Sequence, residues 1–492
     1  MLQTLKNAWK TQELRTKLLF TLLIVILYRL GSCIPVPFVD SAQMAGVINT
    51  SFNYAVQLVA GDAFSTATLF ALSVSPYITA SIIIQLLTVA IPALERLAKE
   101  GEEGKKKINV ITRIVTMALA AITAFGYTTL LVSNKVVTYM QNYTYSTAKG
   151  WTYSALAGKE LAGKSVDMKF FGATGSDLFY FIVIIACYCA GAALVMWLAE
   201  KINEHGIGNG ISIILFANIV ARIPNTILNL YSMIASAKGV TNIIISIVWS
   251  VLIVALLLGL SYLVVWFTDS ERRIPVQYAK RVGGRKMYGG QSSNLPLKLN
   301  MAGVMPVIFA NSIVSIPGTL ATIWPNVNWI SGLANNYFNY TKPLYVLLSI
   351  ILLFAFAYFY IMISFNPVEV ANNIRNNGGA VPGIRPGRPT SDYIKKILNR
   401  ITFIGAIFLC IVSEIPKVVV AIFETIKEIA ATQVETGAVI NAIVNFYKAG
   451  STSFLTVAFA GTSVLIVVGV ILETVRQLEA QLTMRNYKGF LD

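Results

Sequence analysis

Ten long apolar stretches constrain this 492-residue chain more than any other feature of its sequence. A helix that crosses the hydrocarbon core of a bilayer needs roughly 20 mostly apolar residues. Only 13% of the residues are charged, against about 25% in soluble proteins. The sequence therefore predicts an all-α polytopic membrane protein with about ten transmembrane helices. The stretches are centred near residues 18–35, 72–92, 110–132, 178–198, 208–227, 242–267, 301–323, 343–364, 398–420 and 453–473.

Lysine and arginine are unevenly distributed between the two predicted sides of the membrane. The N-terminus, the C-terminal tail and alternate loops hold 27 of these 39 residues, and the other loops hold 11. The positive-inside rule then places both termini in the cytoplasm. With ten spans, spans 1–5 and 6–10 enter from opposite sides, which is the topology of an inverted repeat around a central pathway. We expect two halves, residues 1–238 and 239–492, with long outer loops at 134–176 and 424–450.

Ionisable residues are scarce within the predicted spans. Arg29, Glu414 and Glu473 lie near span ends. We expect Arg29 to snorkel and the two glutamates to lie at the interface. A secondary transporter with inverted repeats is an alternative to a channel, but it would be expected to carry a polar or charged site at mid-membrane. No such site is evident in the sequence.

The second span has an irregular beginning. Residues 57–72 are moderately apolar but interrupted by Gly61, Asp62, Ser65 and Thr66, and Ser75-Pro76 precede the apolar run that continues to residue 92. A half-helix followed by a span with proline in its first turn fits this pattern. At membrane depth a half-helix must be buried in protein or line a cavity. The alternative is that residues 57–72 lie flat on the outer surface.

Two glycine-rich motifs resemble nucleotide sites but lack the required context. Residues 158–165, GKELAGKS, match the phosphate-loop pattern, yet no strand precedes them and no helix evidently follows. The charge distribution also places them outside the cell. The Gly206-x-Gly208-x-Gly210 run follows no strand either. Because no catalytic constellation and no metal-ligand spacing is evident, we expect no enzyme activity, no cofactor and no metal site.

Two predicted cytoplasmic loops are long, basic and rich in turn residues. The alternating start of residues 272–300 and the Gly283-Gly284 turn predict a protruding β-hairpin. Residues 366–390 contain seven glycines and prolines after position 377, which predicts a stiffened loop that presents Arg385 and Arg388. Retention of positive charge in the cytoplasm explains the basic residues alone. The turn residues favour docking of a large acidic partner.

At these residues the chain resembles the SecY family, the central subunits of general secretory translocons. The matching segments run in family order along nearly the whole chain: 76–92, 99–108, 204–214, 272–281, 292–310, 366–387 and 461–468. The resemblance implies a protein-conducting channel in a bacterial plasma membrane, with two inverted five-helix halves around a central pore. It also implies a plug near 58–72, comprising Gly61, Asp62, Phe64, Ser65 and Thr66.

The resemblance also implies a constriction made by a ring of aliphatic side chains and a lateral gate between spans 2 and 7. Matched motif by motif, the ring is Ile78, Ile82, Ile211, Leu215, Ile308 and Ile466. The two pairs Ile78/Ile82 and Ile211/Leu215 each have the i, i+4 spacing of one helix face. Polar residues at the gate are Gln85, Asn311 and Ser312. Isolated helix–helix hydrogen bonds are the alternative role for these three residues.

The partners of the chain are likewise implied by the resemblance. They are the membrane subunit SecE, usually SecG, the SecA motor, the ribosome, and an unfolded preprotein with its signal peptide, together with membrane lipids. The resemblance assigns contact with the motor or the ribosome chiefly to Arg385. The same surface is expected to include Arg388, Arg281, Arg285 and Lys286.

Overall fold

A computed structural model describes most of the chain, namely residues 2–40, 62–133, 136–137, 143–146, 150–153, 175–236, 240–278, 281–283, 286–288, 292–323, 329, 332–333, 337–338, 342–432 and 461–483. Its helices are α1 Leu2–Lys10, α2 Gln12–Gly31, α3 Asp62–Ser65, α4 Ser75–Ala90, α5 Pro92–Lys99, α6 Glu102–Ser133, α7 Gly175–His205, α8 Gly210–Val220, α9 Ile223–Ser236, α10 Val240–Asp269, α11 Met305–Val314, α12 Ile316–Ile323, α13 Pro343–Ser364, α14 Pro367–Asn376, α15 Arg388–Thr432 and α16 Gly461–Thr483. Its strands are β1 Tyr143–Ser146, β2 Gly150–Tyr153, β3 Glu271–Tyr278, β4 Arg281–Gly283, β5 Lys286–Tyr288, β6 Ser292–Lys298 and β7 Gly379–Ala380.

Each of the ten predicted spans contains a helix, which confirms the all-α polytopic class. Within the described residues, seven spans are long and apolar enough to cross a membrane. The second predicted span is a bent pair, in which α4 and α5 meet at 100° across Ile91. The first, α2, is 20 residues long and carries Glu13 and Arg29 in its end turns. The seventh is broken into α11 and α12, separated by Ser315.

The chain forms two compact units. Unit 1 comprises Met1–Ile227, Ser312–Lys342 and Val470–Asp492, and unit 2 comprises Leu228–Asn311 and Pro343–Gly469. The core of unit 1 lies between α6, α7 and the segment before α4. It is made of buried residues that include Ala120, Ala124, Tyr127, Ile184 and Tyr188. Small residues at helix interfaces let backbones approach closely. The division into halves at residue 238 stays a prediction.

The glycine run 206–210 is a structural corner of unit 1. A helix, α7, precedes it, so it lacks the strand that a dinucleotide site requires. The backbone N–H groups of Ile207, Gly208 and Gly210 donate to Thr21 Oγ1, Gln477 Oε1 and Asn203 Oδ1, at 3.1, 2.9 and 2.8 Å. The bond from Gly210 satisfies an N–H group that the start of α8 would otherwise leave unpaired, and the other two bonds hold the turn that precedes the helix. The phosphate-loop look-alike at 158–165 lies outside the described residues.

In unit 2, Pro416 lies inside the 45-residue helix α15. Proline has no N–H, so the carbonyl of Val412 loses its usual helical donor. Gly461, the first residue of α16, lies directly against that carbonyl, and a Cβ added there would overlap it. A glycine at this position therefore allows α16 to approach the proline site of α15.

The two basic loops form one small domain of unit 2. Strand β3 pairs antiparallel with β6 and, on its other side, with β7, and β4 pairs with β5 beyond them. This confirms the predicted hairpin. The second loop differs from the prediction because residues 367–376 form α14. Asn366 caps this helix and proline occupies its first turn, a start signal that the sequence itself contained.

Arg29 and Glu414 both have partners within the protein. Arg29 Nη2 donates to the carbonyl of Ala217 at 2.5 Å. That carbonyl lies in the last turn of α8, where the helix dipole favours a cation. The snorkelling of Arg29 stays a prediction. The expectation of an interfacial Glu414 is wrong, because Glu414 is 3% exposed and pairs with the fully buried Lys417.

Candidate plug, constriction and docking surface

Residues 62–74, which include the described part of the predicted plug (62–72), are mostly buried in unit 1. Phe64, Ala67, Ala71 and Leu72 belong to its core, and Thr66 is exposed. This burial excludes, for these residues, the alternative of a segment lying flat on the outer surface. The helical part is shorter than predicted, since only Asp62–Ser65 is helical and turns follow. Gly61 lies outside the described residues, and the structure does not describe the side chains of Asp62 and Ser65.

Two close backbone approaches place this segment, hereafter called the re-entrant segment, against its neighbours. A Cβ added at Gly191 of α7 would overlap the carbonyl oxygen of Leu69, and one added at Gly31 of α2 would overlap the ring of Phe70. The Leu69 N–H donates to the carbonyl of Ile34 at 3.0 Å. Glycines on two spans therefore create the space in which the segment lies.

Tyrosine hydroxyls from α6 and α7 bind the backbone of the re-entrant segment. Tyr127 of α6 donates to the carbonyl of Phe64 at 2.6 Å. Tyr188 of α7 donates to the carbonyl of Ala67 at 3.2 Å. Both tyrosines are buried, and the Tyr127 ring packs against the ring of Phe64 with centroids 4.7 Å apart. The segment is thus held by backbone hydrogen bonds as well as by apolar packing.

The predicted ring residues occupy helices of both units. In unit 1, Ile78 and Ile82 lie on α4, and Ile211 and Leu215 lie on α8; Ile211 is half-buried and the other three are buried. In unit 2, Ile308 lies on α11 and Ile466 on α16, each 8% exposed. The assignment of these six residues to one ring stays a prediction.

The three predicted gate residues, Gln85, Asn311 and Ser312, are exposed or half-buried. Gln85 is exposed, and its Nε2 donates to Ser81 Oγ at 3.1 Å, one turn away on the same helix. Asn311 and Ser312 are half-buried on α11. The role of these residues at a lateral gate stays a prediction.

The small domain of unit 2 presents the predicted docking residues. Arg385 and Arg388 are exposed beside a buried cluster that contains Ile274, Ile374 and Val381. Thr390 Oγ1 donates to the carbonyl of Arg385 at 2.8 Å, which fixes the backbone of this tip. Arg281 and Lys286 begin β4 and β5; the structure does not describe their side chains. Arg285 lies outside the described residues.

Sequence reasoning missed the buried hydrogen bonds that hold the re-entrant segment. They involve Ser73 of the segment itself and Tyr28, Tyr127, Tyr188 and Asn218 of the neighbouring spans. Their signal was polar groups in the interior of apolar spans, where a buried hydroxyl or amide needs a partner. The described residues contain no group of three or more His, Cys, Asp or Glu side chains that could hold a metal ion.

These features define a polytopic all-α membrane protein with a buried re-entrant segment. The family model for SecY matches residues 68–475. The protein translocase subunit SecY of Streptomyces galbus is 39% identical over 497 residues, covering all of both chains. The subunit of the same name from Thermus thermophilus is 36% identical over 494 residues, covering all of this chain and 98% of the relative. The chain belongs to the SecY family.

Solved structures show the same fold at low sequence identity. One described as the structure of a protein conducting channel has a TM-score of 0.58 at 17% identity, covering 95% of this chain and 92% of that chain. Sec61 in the canine ribosome–channel complex from the endoplasmic reticulum has a TM-score of 0.54 at 15% identity, with the same coverage.

Proposed function

We propose that this chain is the channel-forming subunit of a protein translocase. It moves unfolded secretory polypeptides across the bacterial plasma membrane and releases transmembrane segments sideways into lipid. The full-length identity of 39% to a protein translocase subunit is the observation that carries this proposal. A secondary transporter is not favoured, because relatives along the whole chain carry the translocase name.

In this proposal the pore passes between two inverted halves, with both termini in the cytoplasm. A ring of aliphatic side chains forms its constriction. An apolar constriction excludes water and ions when no polypeptide is present. Flexible aliphatic side chains also close around a polypeptide of any sequence, since they require no particular hydrogen bond. A nascent segment that is apolar enough leaves sideways because it partitions into lipid.

The proposed complex also contains SecE and SecG. The chain itself carries no catalytic step in this proposal, so SecA or translation supplies the energy. The exposed tip of the small domain of unit 2, with Arg385 and Arg388, binds the motor or the ribosome. Guanidinium groups suit this role because they form bidentate hydrogen bonds with carboxylates and phosphates.

Ile82→Asn is expected to increase ion leakage through the idle channel about tenfold or more, because a polar side chain wets an apolar constriction. The measurement is efflux of an ion-sensitive dye from liposomes that contain the purified complex. Val89→Asn is the matched control, since Val89 lies on the same helix and is 55% exposed. Equal leakage from the two variants would remove Ile82 from the ring.

The function is tested by reconstituting the full chain with its SecE subunit in liposomes, then adding SecA, ATP and a secretory precursor. We expect the precursor to become protected from protease outside the liposomes. Arg385→Glu is expected to reduce this protection about tenfold or more, because it reverses the charge at the docking tip. Lys106→Glu, an exposed charge reversal on the same predicted side, is the control. A complete, folded complex that protects no precursor would contradict the proposed function.

A further inference from the structure

The buried hydroxyls around the re-entrant segment form two separate attachments. At its first end, Tyr127 and Tyr188 bind the carbonyls of Phe64 and Ala67. The two tyrosine rings also contact each other edge to face, with centroids 5.1 Å apart. The two tyrosines of this attachment are therefore also in direct contact with each other.

At its second end, Tyr28, Asn218 and Ser73 form a closed hydrogen-bonded ring. The Tyr28 hydroxyl donates to Asn218 Oδ1 at 2.8 Å, and Asn218 Nδ2 donates to Ser73 Oγ at 3.0 Å. The Ser73 hydroxyl lies 3.2 Å from the Tyr28 oxygen. Each hydroxyl has one proton, and that of Tyr28 is already donated to Asn218. The Ser73 hydroxyl therefore donates to the Tyr28 oxygen, which completes the ring. All three residues are buried.

The backbone of the segment is strained at both attachments. Ala67 and Ser73 have φ angles of 49° and 50°. Residues with a Cβ disfavour this left-handed region. Such strain persists only where surrounding contacts hold the backbone in place. Here the strained residues are the same ones that Tyr188 and the Tyr28–Asn218 pair bind.

We propose that these five residues, Tyr28, Ser73, Tyr127, Tyr188 and Asn218, form a latch that sets the equilibrium between the seated re-entrant segment and a displaced one. Seating satisfies buried hydroxyls and carbonyls at the cost of left-handed backbone, whereas displacement releases the strain and leaves the buried tyrosines unpaired. The inference rests on the proposed function together with the expectation that residues 58–72 form its plug, and it assigns the residues that hold this plug closed.

Tyrosine-to-phenylalanine variants test the latch, because they remove the hydroxyl and keep the ring packing. The readout is hydrogen–deuterium exchange of the full chain with its SecE subunit in lipid nanodiscs. The N–H groups of Leu69, Ala71 and Ser73 donate to carbonyls at 2.8–3.0 Å in the seated segment. Their exchange rate reports how often the segment opens locally.

Tyr127→Phe and Tyr188→Phe are each expected to raise the exchange rate of residues 69–73 about tenfold, equivalent to about 1.4 kcal/mol. Ser73→Ala tests the second attachment and is expected to act in the same direction. Tyr231→Phe is the control, because Tyr231 is 70% exposed. In this control variant, the exchange rate of residues 69–73 is expected to equal that of the unchanged protein.

Two results would overturn the latch. One is unchanged exchange at residues 69–73 in both tyrosine variants. The other is an equal rise throughout α6 and α7, because that would show general destabilisation instead of local release. Ion leakage, measured on the same variants, separates this inference from the proposed function. Faster exchange without added leakage would keep the latch and remove the sealing role of the segment.

Discussion

Lys417→Met is expected to lower the free energy of unfolding by about 3–5 kcal/mol, because it leaves the buried carboxylate of Glu414 without its cation. The Lys417 Nζ lies 3.0 Å from Glu414 Oε1 and 5.6 Å from the centre of the Tyr345 ring. The Ser413 hydroxyl also lies 3.0 Å from Oε1. The pair is therefore enclosed by unit 2 on several sides.

Removing both charges is expected to restore most of the lost free energy of unfolding. In Glu414→Gln/Lys417→Met no buried charge remains, and a buried ion pair contributes little beyond a well-packed neutral pair. The free energy of unfolding is measured by titration with SDS, followed by tryptophan fluorescence, for Lys417→Met, the double variant and the control. Lys99→Met is the control, because its pair with Glu95 is 75% and 50% exposed and such pairs contribute about 0–1 kcal/mol. A loss in Lys417→Met no larger than in the control would contradict the buried-pair interpretation.

Gly191→Ala is expected to destabilise the seated re-entrant segment by about 1–3 kcal/mol. The added methyl group would overlap the carbonyl oxygen of Leu69, and a backbone atom has less freedom to move than the end of a side chain. We expect faster amide exchange at residues 69–73 and, in the proposed function, greater ion leakage from the idle channel.

Gly259→Ala is the matched control for this variant. Gly259 lies within α10 and nothing lies within 4 Å of its added Cβ. Alanine there is expected to be neutral or to stabilise the helix by up to about 1 kcal/mol. If Gly191→Ala behaved like Gly259→Ala in both exchange and leakage, the close approach of α7 to the re-entrant segment would be disproved.

Prediction from sequence was most successful where a local property decides the structure. The hydropathy of ten stretches predicted where helices form, and the turn residues near Gly283 predicted the hairpin of β3 to β6. The helix α14 was missed although Asn366 and Pro367 mark its start, because the glycines that follow it dominated the interpretation. The re-entrant segment was predicted, but its helix is shorter than expected.

The sequence by itself determined the membrane class, the positions of the spans and the family. Apolar runs and the order of motifs are properties of the linear sequence and need no tertiary contacts. Only the tertiary structure decided which polar groups within the spans find partners. Glu414 and Lys417 pair on one helix and are buried by others. Tyr127 and Phe64 meet across 63 residues of chain. In a medium without water, a buried polar group is stable only beside a partner, and the partner's position is fixed by packing.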